Sequence, residues 1–193
     1  MQKYKLETIK GTENFVQKEL SDKFSDINII SKKPGEIDFE SDNEINSFKN
    51  LLSALRITNE KGVTRNLFRR EWRKDFVPAG INPALAYVMC MMADIKNEET
   101  ISDPFCGGGT IPITVSLYFD TKKVIASDIS GKAVNITKKN FEEAKISKEK
   151  YFVLQKGVRD LKFQKESIDK IISNLPFGIR AGTHDMNEIT YLN

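Results

Sequence analysis

The chain has 193 residues, 39% hydrophobic and 30% charged, a balance that excludes a disordered polypeptide and leaves room for one medium domain, or a small domain plus part of another. The formal net charge of +3 permits a nucleic acid partner without demanding one. Two separated cysteines, Cys90 and Cys106, and a single histidine, His184, exclude a disulfide framework and a metal cluster; the thiols read as reduced and buried, the imidazole as solvated.

Residues 4–9 alternate as a strand. Gly11 and Thr12 supply a turn and an N-cap before a helix over 13–24, whose apolar positions Phe15, Val16, Leu20 and Phe24 keep helical spacing. A second strand over 27–31, a Pro34-Gly35 turn and a third strand over 36–40 form a hairpin. Asp42 or Asn43 then caps a helix running through Ile45, Phe48, Leu51 and Leu52. The order βαββα is that of a small ferredoxin-like α+β unit, placed at 1–58.

Residues 59–80 form a basic linker. Lys61, Arg65, Arg69, Arg70, Arg73 and Lys74 surround Phe68 and Trp72. Such a run either tracks a phosphate backbone and stacks on bases, or is a solvated connection with Trp72 packed between two domains. Asn82 and Pro83 then open a helix with Leu85, Val88, Met89, Met92 and Ile95 at helical spacing, the methionines reading as core fillers. No apolar run approaches the ~20 residues that span a bilayer, and the start lacks a signal-peptide core, so the expected compartment is cytoplasmic.

The most informative stretch is ISDPFCGGGT, residues 101–110. A strand that turns through three glycines into a helix lets a ligand approach the backbone closely. About twenty residues beyond Gly107, a second strand, KVIASD, ends in Asp128, where nucleoside-binding α/β folds place the carboxylate that grips ribose hydroxyls. A nicotinamide site is disfavoured because Pro112 stands where the third glycine of GxGxxG belongs, and no GxxxxGK[ST] occurs. A helix from Ser130 follows, with Ala133, Val134, Thr137, Phe141 and Ala144 along one face. Next come a strand over 151–155, the loop 157–160, and the buried strand KIIS, which delivers Asn174-Leu175-Pro176-Phe177.

Asn-x-Pro-aromatic after a strand, downstream of DPFCGGGT, resembles the amino-methyltransferase signature of class I S-adenosylmethionine-dependent enzymes. The spelling NLPFG resembles the THUMP-associated RNA methyltransferases that modify the N2 amine of guanosine in tRNA. In the N-terminal part, YKLETIKGTENFVQKEL resembles their ferredoxin-like opening, although the RNA-docking THUMP module is missing from its usual place. The resemblance implies a Rossmann-like methyltransferase domain over 81–193 with its first four strands present. It also implies a chain that reads as the front of a longer protein or half of a split one, whose sheet a separate chain could complete.

The implied ligand is S-adenosylmethionine, and the implied partner is RNA, first of all tRNA. Asp103 and the backbone of Gly107 to Gly109 would hold the methionine part, Asp128 the ribose and Asp160 the adenine amine, with Phe105, Thr110 and Ile129 also lining the cofactor site and residues 78–84 lying over it. Asn174, Pro176 and Phe177 would form the catalytic set, Asn174 also lining the cofactor site. Arg69, Arg70, Arg73, Lys74 and Arg180 would bind RNA. The alternatives are an adenine-N6 or cytosine-N4 amino-methyltransferase acting on rRNA or DNA, and a non-catalytic fragment that binds cofactor or RNA.

Overall fold

The computed structural model describes residues 1–78 and 80–176, so Phe177, Arg180 and His184 lie outside the described residues. Two compact units emerge. One contains Met1–Glu71 and Asn82–Ile95, the other Trp72–Ile81 and the chain from Lys96 onward. These divisions run elsewhere than at 58 and 80: the helix after Asn82 belongs with the first unit, and residues 72–81 with the second.

The first unit is built on an antiparallel sheet of β1 (Gln2–Glu7), β2 (Asn28–Lys33), β3 (Glu36–Ser41), β4 (Arg56–Asn59) and β5 (Thr64–Asn66), in the order β2-β3-β1-β4-β5. The first four strands reproduce the ferredoxin-like order, with β3 lying between β1 and β2, the strands that helix α1 (Glu13–Lys23) connects. β5 adds a strand in what reads from sequence as linker. Opposite residues face inward together, Tyr4 across from Phe39 and Leu6 across from Ile37. With Val16 and Leu20 of α1 and Phe48 they form a buried core.

Two local expectations change. The predicted helix through Leu52 is a 3₁₀ turn, Ile45–Asn50, and no side chain caps it. Thr12 precedes α1 but does not cap it, since its hydroxyl donates to the Ile9 carbonyl at 2.7 Å. Helix α2 (Pro83–Met92) is capped by Asn82, whose side chain accepts from Ala84 N at 2.8 Å. It buries Ala84, Ala86, Val88 and Cys90, whereas Met92 is 62% exposed and is no core filler.

The second unit holds a parallel sheet of β6 (Thr100–Asp103), β7 (Lys123–Asp128), β8 (Tyr151–Gln155) and β9 (Lys170–Ile171), in the order β8-β7-β6-β9. Helix α3 (Thr110–Tyr118) links β6 to β7, and α4 (Gly131–Glu143) links β7 to β8. Chain order therefore runs outward from β6 to β8 and then reverses to β9. That reversal opens a crevice at the carboxyl ends of β6 and β9, the usual ligand position in open α/β sheets. This is the Rossmann-like arrangement of class I methyltransferases. The KIIS strand is only half buried, with Ile172 inside and Ile171 66% exposed. Trp72 packs against Ile113 and Phe141 within this unit.

The first unit depends on one buried carboxylate. Glu19 of α1, 3% exposed, accepts from Leu52 N, Ser53 N and the Ser53 hydroxyl and pairs with Lys23 at 2.6 Å. Removing it strands buried donors, so Glu19→Ala should lower the unfolding free energy by about 2–4 kcal/mol in urea titration. Lys18→Ala, which breaks an exposed pair with Asp22, should change it by less than about 0.5 kcal/mol.

Candidate functional site

The glycine turn leaves β6 at Asp103 and enters α3 at Thr110. Its amides need partners, and β7 provides them. Cys106 N donates to the Ser127 carbonyl at 2.9 Å, and Gly107 N donates to Asp128 Oδ2, also at 2.9 Å. The other oxygen of Asp128 accepts from Ser130 N at 2.9 Å. Asp128 therefore binds the turn to the start of α4 before any ligand arrives. Carboxylate oxygens have further lone pairs, so this use leaves capacity for a sugar hydroxyl.

Gly107 and Gly109 have φ values of +53° and +82°, a region that a side chain disfavours. Their surroundings differ. A Cβ on Gly107 would come within 3.4 Å of Val77 Cγ2 alone, whereas one on Gly109 would meet Thr137 Cγ2 at 2.9 Å. The third glycine is thus required by packing against α4. Thr110 is likewise buried, and its carbonyl accepts from the Thr114 hydroxyl at 2.7 Å.

Two residues absent from the sequence-derived set hold this turn. The Thr137 hydroxyl donates to the Gly107 carbonyl at 2.7 Å. The Asn140 side-chain amide donates to the carbonyls of Gly108 at 2.9 Å and Asp75 at 3.1 Å, and its oxygen accepts from Asp75 N. The available signal was polarity on the buried face of an amphipathic helix, where an uncompensated Asn would be costly. Asn140 also anchors residues 72–81, which place Val77 against Gly107 and Gly108.

Asp103 is 2% exposed. Its Oδ1 accepts from Phe105 N at 3.2 Å and from the Ser173 hydroxyl at 2.7 Å. Oδ2 makes no hydrogen bond among the described residues. Burial pushes its pKa up to about 7, with a smaller push from the Asp128 charge, against the lowering effect of the Ser173 and Phe105 hydrogen bonds. Cys106, buried beside Thr137, has its thiol pushed up, first by burial and then by Asp103, which fits an inert thiol.

The ends of β7 and β8 bring Ile129 and Asp160 together. A Cβ on Gly157 would lie 3.5 Å from Asp160 Oδ2 and 3.6 Å from Ile129 Cδ1. Ile129 is 77% exposed, an apolar side chain with no core to fill. On the other side of β6, Ile172 N donates to the Ser102 carbonyl at 3.0 Å, which sets half-buried Asn174 and then Pro176 just beyond the carboxyl end of β9. Asp103, Phe105, the glycine turn, Asp128, Ile129, Asp160, Asn174 and Pro176 thus gather along the carboxyl ends of one sheet.

The described residues of the basic set divide between the two units. Arg69 and Arg70 belong to the first unit, Arg73 and Lys74 to the second. The Arg70 guanidinium donates to the carbonyls of Leu67 at 2.6 Å and Leu52 at 2.8 Å. Arg73 is half-buried, lies 5.0 Å over the Phe76 ring and has its pKa lowered by burial. Arg69 and Lys74 are exposed.

Comparison with known proteins agrees with this geometry. The family profile described as RMKL-like, methyltransferase domain matches residues 70–193. The chain belongs to that family. Among its relatives, the tRNA (guanine(10)-N2)-dimethyltransferase of Methanothermobacter thermautotrophicus is 33% identical over 118 residues, which cover 61% of this chain and 34% of that protein. The human U6 snRNA (guanine-N(2))-methyltransferase THUMPD2 is 33% identical over 100 residues, covering 52% of this chain and 20% of that one. The chain thus spans about a third or less of the length of these relatives. Among solved structures, SMU.472 in complex with SAH superposes with a TM-score of 0.78 at 16% identity, covering 98% of this chain and 84% of that chain.

Two outcomes test the site as built. Gly109→Ala combines a left-handed backbone with a clash against Thr137 and should cost about 2 kcal/mol or more of stability, read by thermal melting. The pKa of Asp103 lies above the ordinary value of 3.8, so the stability it contributes is fully present below that value and is lost as pH rises through about 7. The melting temperature of the ligand-free chain should therefore fall between about pH 4 and 7 and level off above, and Asp103→Asn should flatten that dependence.

Proposed function

We propose that this chain carries the methyl-donor and target-amine sites of an S-adenosylmethionine-dependent RNA methyltransferase acting on the N2 amine of guanosine, with tRNA as the first substrate to test. The observation that carries the reading is the position of Asn174-Leu175-Pro176 at the sheet's reversal point, next to a buried carboxylate that needs a cation. The relatives' guanine-N2 names favour guanine over the adenine and cytosine alternatives, and the SAH complex of SMU.472 supports the donor.

Asp103 is suited to the ammonium group of the donor's methionine part. Its open Oδ2 accepts a donor hydrogen, and a nearby cation offsets the burial that otherwise keeps the carboxyl protonated. Gly107, at positive φ and with no side chain, keeps the backbone of the turn bare beside Val77. Asp128, fixed by two amides, presents its remaining lone pairs to ribose hydroxyls. Ile129 gives the adenine an apolar face, and Asp160 accepts from its amine.

The donor, when bound, supplies an electrophilic methyl group on a sulfonium that departs as a neutral thioether. The protein's task is to make a poor nucleophile attack, because the lone pair of an exocyclic amine is delocalised into its ring. The side-chain oxygen of Asn174 and a backbone carbonyl at Leu175 or Pro176 accept the two amine hydrogens. This helps the nitrogen become tetrahedral and aims its lone pair at the methyl carbon. Proline fixes φ and offers no competing N–H. Phe177 would stack on the base, which requires the base to leave its helix. The nitrogen's surplus proton passes to water, so the rate enhancement rests on alignment and oriented dipoles.

Titration calorimetry of the chain with S-adenosylmethionine, and mass spectrometry of tRNA nucleosides after incubation, test the reading. The expected product is N2-methylguanosine. Asn174→Ala should lower methyl transfer by about 100-fold or more while donor affinity stays within about threefold. If donor affinity collapses instead, the amine-clamp role of Asn174 is wrong.

A further inference from the structure

The hydroxyl of Ser173 joins two parts of the site that the sequence separates by 70 residues. Ser173 follows β9 and immediately precedes Asn174, so its torsion angles set the direction in which Asn174 leaves the sheet. Its Oγ donates at 2.7 Å to Oδ1 of Asp103, while Oδ2 of the same carboxylate remains open among the described residues. On the backbone side, the Ile172 amide already pins the end of β9 to Ser102 at 3.0 Å. The hydroxyl bond is the next constraint along the chain, and it ends on the group assigned to the donor.

We propose that Ser173 is a positioning residue that transmits the state of Asp103 to Asn174, so that the amine clamp is held in working geometry when a cationic methyl donor occupies the open side of Asp103. The inference rests on the methyl-donor reading of the site. With Asp103 ionised, both oxygens are acceptors and the Ser173 bond is charge-assisted, hence short and strong. With Asp103 protonated, the bond is between neutral groups, and Asn174 is held more loosely. A cationic ligand on Oδ2 favours the first state; the departed, uncharged sulfur leaves only the ammonium to do so.

Among the described residues, few groups face Asp103 from the surrounding elements. They are Ser173 after β9, Phe105 N and the Cys106 thiol in the turn, and the Asp128 carboxylate at the end of β7. Of these Asp128 is the other carboxylate, and it is held by Gly107 and Ser130. The burial-raised pKa of Asp103 puts its titration within a measurable range.

The test compares the wild-type chain with S173A, S173T and S173C across pH 5.5–8.5, measuring S-adenosylmethionine affinity by calorimetry and methyl transfer to guanosine in tRNA. Wild-type affinity should strengthen as pH rises through about 7, because binding then needs no proton release. S173A loses a donor that favours the ionised carboxyl, so its midpoint should move to higher pH and its kcat should fall about tenfold with KM for RNA within about twofold. S173T should restore both, and S173C, a weaker donor, should lie between; these two variants keep the test decisive if S173A does not fold. A wild-type midpoint and kcat in S173A overturn the role of Ser173 alone. A wild-type chain that binds no S-adenosylmethionine at any pH overturns the donor reading beneath it.

Discussion

The Asp128 carboxylate is the constraint on which the rest of the site depends. Three glycines give the chain a turn that a ligand can approach, but they also give it many backbone conformations, and glycine loses more entropy on ordering than any other residue. Asp128 removes that freedom by accepting from Gly107 and Ser130 at once, so one side chain fixes the end of β6 against the beginning of α4. Thr137 and Asn140 complete the fixation from the helix side by donating to the carbonyls of Gly107 and Gly108. Every amide and carbonyl so occupied is one that a bound molecule does not have to order for itself, which is the physical content of a pre-organised pocket.

Within that frame, Asp103 is incompletely satisfied. It is almost wholly removed from water, yet among the described residues only one of its oxygens accepts hydrogen bonds. Such an arrangement is costly unless a positive ligand completes it.

What could be read from the sequence was local in character. The DPFCGGGT turn, the carboxylate at the end of KVIASD and the position of Asn174 beyond a strand all concern residues whose neighbours along the chain determine their placement. The ferredoxin-like element order followed from the alternation of short apolar runs and amphipathic stretches, and the Rossmann-like sheet from the resemblance carried by DPFCGGGT and NLPFG. What stayed hidden depends on partners far away in sequence. Asn140 reaches Asp75 across 65 residues, and helical spacing, which puts it on the buried face of α4, does not name that partner. Arg70 looks like its basic neighbours but spends its guanidinium on the carbonyls of Leu52 and Leu67. Met92 kept the helical period of a core residue and yet faces solvent, because the small side chains Ala84, Ala86 and Cys90 fill the buried surface of α2.

The strand order also carries a temporal meaning. Residues 103–128 bring the glycine turn and its carboxylate staple together over a short length of chain, and α4 follows at once. Asn174 reaches its place only after β9 has been made and has closed a loop of some seventy residues onto β6. As the polypeptide emerges from a ribosome, the glycine turn and its carboxylate can therefore assemble first, and the docking of β9 is the late, long-range step.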